Sequence, residues 1–302
     1  GTIMFKRSLI FILLALTVFS GSMQAQQWFD GWNPHTRWIY DTHITPQHRF
    51  FLFGGYPSPP FDPARMIYNV SDYGQHWYNW EVIDVGEFGR IILDVDFLNS
   101  DTAISVGDRG SMLRTFDGGL SWDSVYADTT RYLNAIDLVN YNFGLAVGGD
   151  SVNQIQTIKR TLNGGSSWTN VRDVSGPYLR SVNCVDVNTA FAVGDAGTVL
   201  KTVNGGNTWS QISVPVNRRW QEVYFSNSSV GLIVGGDILV RTILRTTDGG
   251  NNWTVILDEA GGMLMDMHFT DAQNGYAVGY HGQFLRTTNG GQNWNFEVVP
   301  GM

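Results

Sequence analysis

TFDGGLSW (Thr115–Trp122), TLNGGSSW (Thr161–Trp168), TVNGGNTW (Thr202–Trp209), TTDGGNNW (Thr246–Trp253) and TTNGGQNW (Thr287–Trp294) are five copies of one phrase, Thr-x-Asp/Asn-Gly-Gly-x-x-Trp. A looser copy, VSDYGQHW, carries Asp72 and ends at Trp77. The tryptophans Trp77, Trp122, Trp168, Trp209, Trp253 and Trp294 follow one another at steps of 45, 46, 41, 44 and 41 residues. A period in the low forties means one supersecondary unit repeated along the chain. Repetition also argues against any single copy being a catalytic centre.

Around the phrase each repeat has the same grammar. In the third, YLNAIDLV, FGLAVGGD, IKRTLNGGSSW and TNVRDV are four short β-type runs separated by turn residues. The second run closes on Gly54, Gly107, Gly148, Gly194, Gly235 and Gly279. Ten residues before each stands an apolar side chain: Ile44, Phe97, Leu138, Cys184, Phe225 and Phe269. Four-stranded units repeated around an axis make a β-propeller, so the expectation is an all-β fold of six blades. The blades fall at about 37–84, 90–127, 131–173, 178–214, 219–258 and 263–300, in one domain over 26–302. Residues 27–36 supply one strand at most, so a seventh blade requires the chain to be a fragment.

The phrase itself is the turn between third and fourth strands. Asp-Gly or Asn-Gly between β runs predicts a tight hairpin with positive φ at both residues. Asn163, Asn204 and Asn289 stand where Asp72, Asp117 and Asp248 stand in the other copies. A calcium site favours full carboxylate charge, whereas a turn needs only an acceptor oxygen. The motif is therefore read as structural, with the tryptophans covering hairpin ends and no metal.

Composition fits short strands and tight turns: 43% of residues are hydrophobic, 15% charged, 35 are Gly, and 11 Trp, 12 Tyr and 17 Phe are present. The net charge is −8, and no basic run occurs, so nucleic acid is not an expected partner. Cys184 is the only cysteine, which rules out an internal disulfide and a cysteine-based zinc site. No cofactor is expected. The N-terminus reads as an export signal over residues 1–25. Lys6 and Arg7 precede the apolar run Leu9–Phe19, and cleavage is expected after Ala25 or Ser22. The mature chain is expected not to span a membrane and to be periplasmic, at the cell surface or secreted.

The phrase resembles the Asp-box, or BNR repeat, of sialidases, other glycoside hydrolases and sortilin-like receptors. The longer units AISVGDRGSMLRTFDGGLSW (Ala103–Trp122), AFAVGDAGTVLKTVNGGNTW (Ala190–Trp209) and GYAVGYHGQFLRTTNGGQNW (Gly275–Trp294) resemble the photosystem II stability/assembly factor family of propellers. The resemblance covers nearly all of the mature chain and is specific for fold. That family's known propellers are seven-bladed, whereas six units are counted here. It implies an assembly factor that docks a partner through an arginine-rich face.

In a propeller the inner strand of each blade begins at one mouth of the central channel, and the Asp-boxes lie at the outer edge of the opposite face. Seventeen residues before the aligned glycines stand Arg37, Arg90, Arg131, Pro177, Arg218 and Gly262, with Arg180 and Arg219 nearby. Trp38, Tyr132, Tyr178 and Trp220 lie beside them. This row is the candidate binding face for a protein partner or an anionic surface, because guanidinium forks recognise carboxylates and phosphates. The competing reading is neutralisation by Asp108, Asp150, Asp195 and Asp237 in the same loops, or by Asp41, Asp94, Asp96, Asp137, Glu222 and Asp266 on the inner strands. A third reading makes those inner-strand acids, with His43 and His268, a cation site. Arg114, Arg160, Lys201, Arg245 and Arg286, each just before the motif Thr, are expected to form repeated ladder or inter-blade ion pairs.

The alternative function is a sialidase-like glycoside hydrolase, with Glu222 and Tyr224 or Tyr40 as the nucleophile pair. Glycoside hydrolysis requires a carboxylate pair at defined separation. The chain has only five Glu, and most inter-strand connections are a few residues long. The one long loop, Gly54 to Arg65, is Pro-rich and reads as a contact surface. The preferred reading is non-catalytic, with no catalytic residue assigned.

Overall fold

The computed structural model describes the strands at 38–44, 50–55, 63–69 and 80–88, and residues 91–126 and 131–297 throughout. Arg37, Arg90, Asp72, Trp77, the export signal and the loop residues 56–62 lie outside the described residues. Within them the chain forms six four-stranded antiparallel sheets, each built from strands consecutive in sequence. The first holds β1 (Trp38–Ile44), β2 (Phe50–Gly55), β3 (Pro63–Asn69) and β4 (Trp80–Phe88). The second holds β5 (Ile92–Phe97), β6 (Ala103–Gly107), β7 (Met112–Thr115) and β8 (Asp123–Tyr126). The third runs β9 (Tyr132–Leu138), β10 (Gly144–Asp150), β11 (Ile155–Thr161) and β12 (Thr169–Ser175). The fourth runs β13 (Leu179–Cys184), β14 (Ala190–Gly194), β15 (Val199–Thr202) and β16 (Ser210–Gln211). The fifth is β17 (Arg219–Phe225), β18 (Gly231–Asp237), β19 (Val240–Thr246) and β20 (Thr254–Ala260). The sixth is β21 (Leu264–Phe269), β22 (Gly275–Gly279), β23 (Gln283–Thr287) and β24 (Asn295–Phe296). The chain divides into two compact units, Gly1–Leu133 and Asn134–Met302.

In the second unit the sheets stack face to face, and the alternation of side chains sets the stacking. Ala190 and Ala192 of β14 join Leu145, Val147 and Ile158 in one core layer. The intervening Phe191 and Val193 join Trp220, Val223 and Ile233 in the next. On β18, Ile233 faces back into that layer while Leu232 and Val234 face forward onto Leu264, Met267 and Leu285. Both faces of the middle strands are buried, which explains why they read as continuous apolar runs. Phe191 stacks on Phe225 at 4.4 Å, and Trp253 meets both rings edge-on.

The glycine that closes the second strand has a steric cause. A Cβ on Gly107, Gly194, Gly235 or Gly279 would lie 1.9–2.3 Å from the carbonyl oxygen of Ile91, Tyr178, Arg219 or Met263 respectively. These carbonyls belong to the entrance of the inner strand, which then bulges: register shifts fall between Leu179 and Ser181, Trp220 and Glu222, and Leu264 and Asp266.

Sheets alternate in length along the chain. All eight strands β9–β12 and β17–β20 have seven residues, whereas β13–β16 run 6, 5, 4 and 2 and β21–β24 run 6, 5, 5 and 2. The long sheets carry Gly-Gly after the second strand's valine, and the second of these glycines sits at φ +143° in Gly149 and +136° in Gly236. A Cβ there would meet the carbonyl of Ile155 or Val240 at 1.9 Å.

The Asp-box turn differs from the expected two-residue hairpin. The Asp or Asn does not adopt positive φ; the two following glycines do, at 65–85° in all five described copies. The physical reason is a side-chain network. Thr202 Oγ1 donates to Asn204 Oδ1 at 3.0 Å and accepts from the Gly206 amide at 3.0 Å, while Asn204 Oδ1 accepts from the Thr208 amide at 3.0 Å. The other four repeat it, with carboxylate in place of amide in Asp117 and Asp248. Backbone amides from Asn252 and Asn251, with the Asn252 and Thr246 side chains, hold the Asp248 carboxyl down to about 2. A depressed carboxyl stabilises the fold above its unfolded value near 4, and that contribution is lost as pH falls from about 4 to about 2. Asp248→Asn is expected to flatten the melting temperature against pH in that window and to leave it unchanged at pH 7. Thermal melts between pH 6 and pH 2 check it; an unchanged acid slope would remove this carboxylate from the account.

Three of the five basic residues before the motif Thr have a different partner from the one expected. Arg160 Nη1 donates to the Gly205 carbonyl (2.6 Å) and Asn207 Oδ1 (2.8 Å). Lys201 Nζ donates to the Gly249 carbonyl (2.7 Å) and Asn251 Oδ1 (2.9 Å), and Arg245 Nε to the Gly290 carbonyl (3.1 Å). Each of these three bases therefore clamps the Asp-box turn of the following sheet. These are charge-assisted bonds to neutral oxygens, not ion pairs. Arg114 lies over the Phe116 ring and Arg286 over Tyr276.

Candidate functional site

The described arginines of the predicted row lie where a sheet's outer strand passes into the next inner strand. Arg219 opens β17 and pairs in register with Gly236 of β18. Arg180 follows the first residue of β13. Arg218 precedes β17, and its carbonyl accepts the Gly197 amide at 2.7 Å, tying this passage to the β14–β15 turn. Arg131 precedes β9 in the first unit and is half-buried, with partners of its own.

Each guanidinium of the row described in the second unit meets a carboxylate. Arg180 Nε lies 2.5 Å from Asp195 Oδ1, with Nη2 3.1 Å from Oδ2. Arg219 Nε reaches the same Asp195 at 3.2 Å. Arg218 Nη1 meets Asp237 at 3.0 Å, and its Nε and Nη2 fork onto Asp258. Hydrogen bonding to Asp258 leads the effects that raise the Arg218 guanidinium above its ordinary value. Further along, Arg241 bonds Glu259 and Gln283.

The balance differs between the two groups. Asp195 serves two guanidiniums, leaving one positive charge in excess, while Arg218 is shared by two carboxylates. Arg219 is the open member: its side chain is 49% exposed, and its Nε lies 3.2 Å from the shared carboxylate. The Arg180 side chain, 15% exposed, lies against the Tyr178 ring.

The aromatic residues placed beside this row separate. Trp220 has no exposed surface and belongs to the core with Phe191, Val193 and Val199, so its ring does not meet a docked molecule. Its neighbour Arg219 points out because alternation and the following bulge turn successive side chains to opposite faces. Tyr178 is buried, and its hydroxyl donates to Asn134 Oδ1 at 2.9 Å. Tyr132 is exposed in the first unit. Trp38 is described by its backbone only.

The acidic residues of the inner strands are largely committed. Asp137 Oδ2 accepts from the Cys184 amide (2.6 Å) and Asn183 Nδ2 (3.1 Å). In the loop after β6, Asp108 accepts the Ile91 amide at 2.6 Å. Burial holds the His268 imidazole below its usual value. Among the described residues no group of three or more His, Cys, Asp or Glu is placed to hold a metal ion. Tyr224 stacks on Phe269 at 4.8 Å, and burial, then the charge of Asp271, pushes its phenol above the usual value. That is the opposite of what a nucleophilic tyrosine needs.

A family model for photosynthesis system II assembly factor YCF48 matches residues 72–210 and again 166–261, together more than half of the chain. The chain belongs to the YCF48 family. A solved structure of "YCF48 bound to D1 peptide" shares 18% identity and a TM-score of 0.60, covering 88% of this chain and 84% of that one. YCF48 from Cyanidioschyzon merolae shares 19% identity and a TM-score of 0.63 over 88% and 86% of the two chains. A GH74 xyloglucanase from Xanthomonas campestris reaches a TM-score of 0.64 at 14% identity, over 85% of this chain and 47% of that one. No curated protein matches. At these identities the likeness shows the propeller fold alone. Family membership rests on the repeat model, whose match includes the Asp-box units up to Trp253 and the segment bearing Arg180, Arg218 and Arg219.

Proposed function

We propose that this YCF48-family chain is an exported, non-catalytic scaffold that holds a segment of a client protein at the end of the second unit where Arg180, Arg218 and Arg219 gather. The observation that carries the reading is Arg219, half exposed, beside a carboxylate that Arg180 already holds. A client carboxylate can take the free side of its fork without leaving a buried charge unpaired. The matched acids Asp237 and Asp258 around Arg218 favour a protein segment over a polyanionic surface. A D1 peptide held by a YCF48 relative supports the same class of ligand.

Arg219→Glu is expected to reduce capture of the client at least tenfold in a crosslinking pull-down from the native cell envelope read by quantitative mass spectrometry. Far-UV circular dichroism and melting temperature should stay unchanged, since the side chain is half in solvent. Capture equal to that of the parent protein would end this reading.

A further inference from the structure

At the end of the second unit opposite Arg180, Arg218 and Arg219, two turns of each sheet lie side by side. One joins the inner strand to the second strand, and the other is the Asp-box turn. In the third and fourth sheets both turns carry exposed apolar side chains at their tips. Tyr141 and Leu162 of the third sheet are 64% and 62% exposed, and Val187 and Val203 of the fourth are 40% and 67% exposed. The same positions hold Ser228 and Thr247 in the fifth sheet and Ala272 and Thr288 in the sixth. The Asp-box network of hydrogen bonds is the same in all four sheets. Turn chemistry therefore does not call for the four apolar tips, and left in water they gain nothing from burial.

The four tips form one patch. The Gly164 amide donates to the Asn142 carbonyl at 3.0 Å and the Gly205 amide to the Asn188 carbonyl at 2.8 Å, which ties each Asp-box turn to the neighbouring turn of its own sheet. Arg160 joins the two sheets, since its Nη1 reaches the Gly205 carbonyl. The charge of the patch differs from that of the chain. Asp186 is the one carboxylate in these four turns, and Asn163 and Asn204 stand where the fifth sheet has Asp248. Arg160 and Lys201, at the base of the two Asp-box turns, are held by backbone carbonyls and by the side-chain oxygens of Asn207 and Asn251. Neutral oxygens leave both positive charges in place. Two cations against one anion make the patch positive on a chain of net charge −8.

We infer that this patch seats the protein on a membrane surface containing anionic lipid, with Tyr141, Leu162, Val187 and Val203 entering the interface and Arg160 and Lys201 at the headgroups. The inference goes beyond the client-holding reading and uses the opposite end of the sheets. Three observations favour a bilayer over a second copy of the chain or another protein. Four side-chain tips fall well short of the roughly 800 Å² per partner that a stable protein interface buries, whereas a lipid interface takes protruding apolar groups without needing a matching shape. Backbone amides that leave bulk water must keep a partner, and here they do. Asn140 Oδ1 accepts from the Asn142 and Phe143 amides at 2.9 and 3.0 Å, and Asp186 Oδ1 from the Asn188 and Thr189 amides at 2.7 and 2.9 Å. Finally, apolar tips beside unneutralised cations match an anionic bilayer, where aliphatic groups sink toward the acyl chains and Lys and Arg stay among the phosphates.

Vesicle flotation with the mature full chain tests the inference. One set of vesicles is phosphatidylcholine alone, and the other is an equimolar mixture with phosphatidylglycerol. The chain is expected to bind the mixed vesicles about tenfold or more tightly than the neutral ones, and to be released as salt is raised. The double variant Leu162→Thr with Val203→Thr places in these turns the residue that the fifth and sixth sheets already carry. It should keep the parent melting temperature and lose about tenfold or more in binding to the mixed vesicles. Arg219→Glu should float as the parent does, which separates this surface from the client-holding end. The inference is overturned if the parent chain does not float with the mixed vesicles, if it binds neutral vesicles equally well, or if the threonine variant floats unchanged. Sedimentation showing a parent dimer that the threonine variant dissolves would assign the patch to a second copy and overturn it as well.

Discussion

Trp220→Ala is expected to lower the stability of the protein by about 3–5 kcal/mol, the usual cost of removing a fully buried aromatic side chain. The indole has no exposed surface and sits in a layer with Phe191, Val193, Val199, Val223, Phe225, Ile233, Leu244 and Trp253, which joins two successive sheets. Truncation leaves a cavity that neither sheet can close, since each is held in register by its own ladder and by the next layer behind it. The loss should appear as a lower denaturation midpoint in guanidinium chloride and a drop of several degrees in melting temperature. The same variant tests the role that sequence spacing assigned to this residue. A binding tryptophan would lose client capture with the midpoint unchanged; a core tryptophan loses stability first. An unaltered midpoint would contradict its place in the core.

Gly194→Ala is expected to cost about 3 kcal/mol or more, at the upper end of overpacking effects. The added methyl carbon would sit 2.1 Å from the Tyr178 carbonyl oxygen and 2.9 Å from the Leu179 Cα. Both are backbone atoms of the inner strand, so no side-chain rotation relieves the clash. The backbone at Gly194 is not in the left-handed region, so the cost is contact alone. Gly282→Ala supplies the contrast: its φ is +70° and no atom lies within 4 Å of the added carbon. That variant should cost about 1–2 kcal/mol through backbone conformation. Chemical denaturation of the two variants side by side separates the mechanisms. Equal losses would mean that the close approach at Gly194 relaxes without penalty.

Much of the fold was legible because it repeats. The aligned glycines marked a real structural feature, the passage of an inner-strand carbonyl against the second strand, and the Asp-box marked the turn between third and fourth strands in every described copy. The details that failed were those that spacing cannot carry. The Asp or Asn of the turn was expected at positive φ; its side chain instead accepts from Thr and from the amide four residues on, and the paired glycines take the left-handed positions. The bases before the motif were expected in ion pairs; Arg160, Lys201 and Arg245 instead clamp a carbonyl of the next turn, because the following sheet brings that backbone oxygen within reach.

The candidate site was legible in outline and not in balance. Sequence periodicity put Arg180, Arg218 and Arg219 together with Asp195 and Asp237. It gave Trp220 and Arg219 the same standing, though they are adjacent. Only the bulged inner strand sends one into the core and the other to solvent. The alternation of long and short sheets is present in the sequence as Gly-Gly against Gly-Asp or Gly-Tyr, but its consequence depends on ladder length, which pairing in space decides.

The sequence alone determined the repeat, its four-strand grammar and family, because turn chemistry and period-two apolar runs are local properties. The tertiary structure alone decided which arginine stays open, which carboxylates are already taken and where the aliphatic tips stand. Those outcomes depend on which groups from separate sheets come within about 3–4 Å of one another, and no local pattern along the chain encodes that distance.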